Sequence, residues 1–230
     1  MKGRGKKKSP GTSMRSLPAF QDLRGEIGYA AESGGTVHIA LGSGGLVGEN
    51  AVTSLAGLEM IEELADTAVL YNSPPIITVG DPTLLPLAQD ILYRAYERHG
   101  LVKRYNPSQV RFVAPPTTAY AAGAANTVAT ENVTTNVMIG AFGSEVSLIA
   151  DAGARRGLTQ LAAAAATDAI GALYPTSDRL AIGEELYTAG AQMTGKRRYM
   201  ISLKAQNVLR LILIGLIVFL AAIELMSSLI

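Results

Sequence analysis

TVHIALGSGG, residues 36–45, is the stretch whose reading decides the fold. Its first six residues are mostly apolar and β-branched, without the polar alternation of a strand that has one wet face. Such a run suits a strand covered on both sides, as in a parallel sheet. The glycines that follow end the run and turn the chain. Four more runs of this kind come later: PIITV (75–79), VRFVA (110–114), NVMIGAF (136–142) and LTQLAAAAA (158–166). The last is the weakest of them, because alanine favours helix.

Helix-length segments separate the runs, and their ends carry boundary signals. FQDLRGEIGYAAES, residues 20–33, suits one short helix ending at Gly34 and Gly35. Between Ala51 and Tyr71, Leu55, Leu58, Ile61, Leu64, Ala65 and Ala68 recur at helical spacing, with Glu59, Glu62, Glu63 and Asp66 away from them. Asp81-Pro82 places a cap residue before a proline at the first helical position, and Gly100 closes that helix after His99. Thr117 or Thr118 can cap an alanine-rich helix. Ser144 can cap the next, which ends on Arg155 and Arg156, cations that suit a helix C-terminus. A last helix is expected from about Asp178 to Thr194. Alternating strand and helix predicts a doubly wound α/β domain, with a mainly parallel five-stranded sheet and helices on both faces.

Ligands of such sheets bind beyond the carboxyl ends of the strands. The turns there are GSGG (42–45), GDPT (80–83), APPTT (114–118), FGSE (142–145) and TDA (167–169). They supply a candidate rim of Gly42, Ser43, Gly44, Gly45, Asp81, Thr117, Ser144, Glu145 and Asp168. Glycines after a strand can let backbone N–H groups cradle a phosphate. Here Val47 stands where the dinucleotide fingerprint needs glycine, no Walker lysine follows, and Glu49 would repel a phosphate. A tight strand-to-helix turn explains the same glycines. Asp81, Glu145 and Asp168 can offer oxygen ligands to a hard cation; capping by Asp81 and Asp168, and a first-turn place for Glu145, explain them equally, so no metal is assigned. His38 lies inside a strand and His99 at a helix end, both structural positions. No G-x-S-x-G elbow is present and Ser43 has no evident histidine base, which argues against a serine hydrolase. The residues name neither a catalytic group nor a cofactor.

The charge is segregated. Six basic residues and no acid lie in residues 1–15, and five basic residues and no acid in 196–210; the span 16–195 holds nine basic and eighteen acidic residues. An acidic body argues against nucleic-acid binding. The absence of cysteine excludes disulfides, thiolate metal sites and cysteine nucleophiles. The C-terminal stretch LILIGLIVFLAAIELMSSLI (211–230) holds one charge, Glu224, and as a helix would span roughly 30 Å, a bilayer core. Four segments are therefore expected: a basic disordered tail (1–18), an α/β domain (19–195), a basic juxtamembrane helix (196–210) and a transmembrane helix (211–230). Arg197, Arg198, Lys204 and Arg210 would mark the cytoplasmic side and attract anionic lipid, placing the soluble domain in the cytoplasm of a single-pass protein. Glu224 lies about 21 Å along the helix from Arg210. It either meets a partner in the membrane or reaches the outer interface.

HIALGSGG (38–45), TVGDPTLLPLAQD (78–90), RFVAP (111–115), GAFGSE (140–145), GARRG (153–157) and IGEELYTAGA (182–191) together resemble a family of bacterial membrane-associated proteins catalogued only as a domain of unknown function. The resemblance covers about residues 36–226. It implies a bacterial membrane protein and brings no activity or catalytic residue. Some members have an apolar segment before the domain, where this chain has its basic tail. The expectation is a membrane-anchored module that binds a protein partner, a small ligand or further copies of itself. The alternative is an enzyme or nucleotide-binding domain working at the rim.

Overall fold

β1 (Thr36–Gly42) lies inside the sheet, hydrogen-bonded in parallel to β2 (Ile76–Val79) on one side and β4 (Val133–Ala141) on the other. The computed structural model describes residues 23–187 and 212–217. The sheet has six strands in the order β3-β2-β1-β4-β5-β6, all parallel, with β3 (Val110–Phe112), β5 (Thr159–Ala164) and β6 (Arg179–Ile182) completing it. The helices between them are α1 (Leu23–Glu32), α2 (Ala51–Leu70), α3 (Leu84–Arg98), α4 (Thr117–Thr130), α5 (Val146–Arg155) and α6 (Thr167–Leu173).

Alternation along the strands divides the interior into two cores. Val37, Ile39 and Leu41 of β1, with Ile77 and Val79 of β2 and Val137 and Ile139 of β4, meet Leu23, Ile27, Met60, Ile61, Leu64 and Leu92 of α1, α2 and α3. Ala40, Met138, Ala162 and Ala164 face the other way, against Tyr120, Ala124, Val146, Ile149 and Leu173 of α4, α5 and α6. Each fully buried Ile, Leu or Met contributes about 1.5–3 kcal/mol. The apolar runs of the sequence are continuous because both faces are covered.

The expected five-strand sheet gains a sixth strand. Arg179–Ile182 lies within the stretch expected to begin a helix at Asp178. Instead it pairs with β5, and only residues 184–187 after Gly183 are helical within the described part of that stretch. The alanine-rich fifth run is a strand despite its propensity, because Leu161 to Ala164 are buried on both faces. α3 starts at Leu84 with Thr83 at its N-cap, two residues beyond the expected start. Gly100 and Gly157 follow their helices at φ +69° and +63°, the left-handed closure that glycine permits. The basic tail, Arg197, Arg198, Lys204, Arg210, Glu224 and most of the apolar run lie outside the described residues. Among those described, no helix is long and apolar enough to cross a membrane.

Candidate functional site

The order of the strands reverses its winding at β1 and β4: α2 and α3 cover one face, α4, α5 and α6 the other. The turns leaving these two strands are therefore neighbours whose chains diverge, and a crevice opens between such turns in doubly wound sheets. The GSGG turn and the FGSE turn flank it. Ser43 N–H donates to the Ala141 carbonyl at 3.0 Å, and Gly80 N–H to the Gly42 carbonyl at 3.0 Å, so the ends of β1, β2 and β4 are stitched together.

That stitching accounts for the glycines. Gly42 has φ +82°, and a Cβ there would stand 2.0 Å from the Ala141 carbonyl oxygen. At Gly44 the Cβ would stand 2.5 Å from the Ala141 side chain and 2.9 Å from Ser54 Oγ; at Gly45 it would meet the Asp81 carboxylate at 2.5 Å. Protein atoms, rather than an open phosphate cradle, fill the space the missing side chains leave. Gly42, Gly44 and Gly45 are buried. Gly57 of α2 likewise lets that helix approach Leu41 and the Ile139 carbonyl.

The carboxylates divide into two groups. Asp81, half-buried at the end of β2, leans over Gly45. Its Oδ1 accepts from Thr83 N–H at 2.8 Å and from the Thr83 hydroxyl. It folds the GDPT turn rather than capping α3 directly. Across the crevice, Glu145 Oε1 accepts from Gly143 N–H at 2.9 Å, and Glu145 Oε2 and Asp168 Oδ2 both flank the same side of Gly143. Glu145, not Ser144, is the N-cap of α5; Asp168 lies in the first turn of α6. Ser144 and Thr117 are exposed, and Thr117 opens α4 behind Pro116. The three acids do not converge: no group of three or more metal-ligating side chains exists among the described residues. Arg98, Lys103, Arg104, Arg155 and Arg156 all sit at helix C-termini or in the turns that follow, at the opposite edge. The rim is thus acidic, and suited to hydroxyl-bearing or cationic groups.

The family model described as a domain of unknown function, DUF6754, matches residues 4–229. The chain belongs to the DUF6754 family. No curated protein and no solved structure matches it.

Beneath the rim of this DUF6754 chain runs a buried polar chain that none of the sequence motifs brings together. Thr78 Oγ1 lies 3.0 Å from His38 Nε2, His38 Nδ1 lies 2.8 Å from Asn136 Oδ1, and Asn136 Nδ2 donates to Gln160 Oε1 at 3.0 Å. Gln160 Nε2 then donates to the carbonyls of Ala150 and Thr176 at 2.9 and 2.8 Å. With the Asn136 amide donating toward Gln160, its oxygen must accept, so His38 carries its proton on Nδ1 and accepts from Thr78 on Nε2. Burial pushes the His38 pKa down to about 4 despite the Asn136 bond, with Arg111 lowering it further. At the other end the Tyr120 hydroxyl donates to the Thr78 carbonyl at 3.2 Å and accepts from Gly42 N–H at 3.1 Å, tying the chain to the glycine turn. His38 is structural, as its place in a strand suggested. A signal for the whole set is present in the sequence: four of the five runs carry one buried polar residue, Thr78, His38, Asn136 and Gln160.

Ser54, in the first turns of α2, is fully buried behind Gly44 and its hydroxyl has no partner among the described residues. A groove of about 640 Å³ opens at the other edge of the DUF6754 domain, lined in part by Glu26, Tyr29, Asn132 and Arg156. The Arg156 guanidinium there is taken up by the carbonyls of Val128 and Glu131, so it serves α4 rather than a ligand.

Proposed function

We propose that this DUF6754 protein is a membrane-held binding module that takes a small polar ligand in the crevice between the GSGG and FGSE turns. The observation that carries the reading is the strand order, which sets those two turns side by side at the reversal of winding. The acidic rim selects the chemistry: Asp81 on one side, Glu145 and Asp168 on the other, with Arg98, Arg104, Arg155 and Arg156 at the far edge, favour a neutral polyol or a cation over a bare phosphate. Anchoring is supported by the apolar run 211–230. Its described part, 212–217, is helical with Ile212, Leu213, Ile214, Leu216 and Ile217 all exposed, side chains that need a non-aqueous cover. The basic residues before the run favour a domain on the cytoplasmic side, and the family resemblance implies a bacterial membrane. A protein partner or a second copy are further occupants of such a module.

Thermal unfolding of the detergent-solubilised full chain against a metabolite panel tests it. A ligand at 100 times its Kd stabilises by about 2.7 kcal/mol, and Asp81→Asn or Glu145→Gln should abolish the shift. A panel with no shift, or a shift untouched by both substitutions, contradicts the reading.

One observation favours a second, narrower reading. Asp81 ends β2 beside Gly45, the place from which an acid reaches a ribose hydroxyl in dinucleotide-binding domains. Binding of a nucleoside but not its 2′-phosphate, with the preference lost in Asp81→Asn, would select it.

A further inference from the structure

We infer that the strand-end rim lies against the lipid surface, so that the candidate crevice opens at the membrane interface rather than toward bulk solvent. This rests on the membrane-held reading above. Val47, in the turn between β1 and α2, is 86% exposed, and Val52 and Leu55 on the first turns of α2 are 64% and 48% exposed. Large aliphatic side chains at the tip of a turn gain nothing from water, and inserting their methyl groups into the acyl boundary is favourable for each CH₂ buried.

Exposure alone does not choose this end of the molecule, since Leu70 at the far end of α2 is 63% exposed. The path of the chain chooses it. β6 runs up to the rim, Gly183 turns at φ +59°, and Tyr187 at the end of the described domain sets its hydroxyl 3.1 Å from Thr53 Oγ1. Thr53 is the neighbour of Val52. The chain therefore departs toward its apolar run from beside the aliphatic patch, with 23 residues in between. Those residues hold five cations and no acid, which supply the attraction to anionic lipid that the acidic rim itself lacks. The occupant of the patch is accordingly the bilayer that receives the chain's own C-terminus.

The chain has no tryptophan, so a single introduced one reports its own depth. Val47→Trp and Leu70→Trp, in the full chain reconstituted in vesicles containing acyl-brominated lipid, mark the two ends of a helix of about 30 Å. Val47→Trp should lose most of its emission to the bromines and Leu70→Trp should keep it. Equal emission from both in protein that floats with the vesicles overturns the docking and leaves the anchor standing. Quenching at Leu70 alone reverses the orientation and overturns it too. Protein that does not float overturns the anchor, and the docking with it.

Discussion

The Nδ1 atom of His38 on β1 stands 2.8 Å from Oδ1 of Asn136 on β4, fully buried, at the same level of the central strand pair. The two strands at the reversal of winding are thus joined by side chains as well as by their backbones, and the Asn136 amide, donating to Gln160, extends the link to β5. Asn136→Ala leaves the His38 N–H and the Gln160 oxygen without partners. The loss should be about 2–5 kcal/mol by equilibrium urea unfolding of the full chain in detergent. A loss below that of an ordinary surface change would mean the chain of bonds is not formed.

His38 also makes stability depend on acid. Its native pKa is lowered to about 4 against 6.5 in the open chain, so the unfolded state binds the proton first as pH falls. Stability from this residue is whole above pH 6.5, is lost as pH falls toward 4, and changes no further below that. The span amounts to about 3 kcal/mol. His38→Gln should flatten the unfolding free energy over that window relative to wild type.

Tyr120 works at the alkaline end. Burial raises its pKa to about 12 from 10, so the unfolded state gives up the proton first and stability is lost as pH rises from 10 toward 12. Tyrosinate absorbance should show fewer residues ionising in native than in denatured protein in that range, Tyr105 being raised too by burial and Asp90. Tyr120→Phe should narrow the difference by one residue, and cost about 1–3 kcal/mol at neutral pH by unbonding Gly42 N–H and the Thr78 carbonyl.

Two glycines separate strain from collision. Gly42 and Gly48 both have positive φ, +82° and +91°, but a Cβ at Gly48 meets nothing within 4 Å. Gly48→Ala should cost about 1–2 kcal/mol, the strain of the left-handed backbone alone. Gly42→Ala adds collision with the Ala141 carbonyl and should exceed about 4 kcal/mol or prevent folding. Melting temperatures of the two variants compare them directly.

The layers of the fold were legible in residues 36–166, where short apolar runs without polar alternation, bounded by turn residues, suit strands covered twice. β6 was not. RLAI is short and follows Asp178, which looks like a helix cap, and it becomes a strand only because β5 offers it an edge. In fact Asp178 Oδ2 accepts from Gln160 N–H at 2.7 Å, aligning the two strands. The rim turns were located correctly, since strand ends place them, but their partners were not. Nothing in the spacing of Asp81, Glu145 and Asp168 says that the last two share one side of Gly143 while Asp81 leans over Gly45. The polar chain was hidden for the same reason: its bonded members lie 24 to 98 positions apart, and only parallel register brings them level.

Native mass spectrometry of the full chain, purified as expressed, bears most directly on the ligand crevice. A retained small molecule of constant mass is expected, lost from folded Asp81→Ala and Glu145→Ala protein. A bare apo mass across metabolite, nucleotide and cation additions, or a ligand retained equally by both variants, would contradict it.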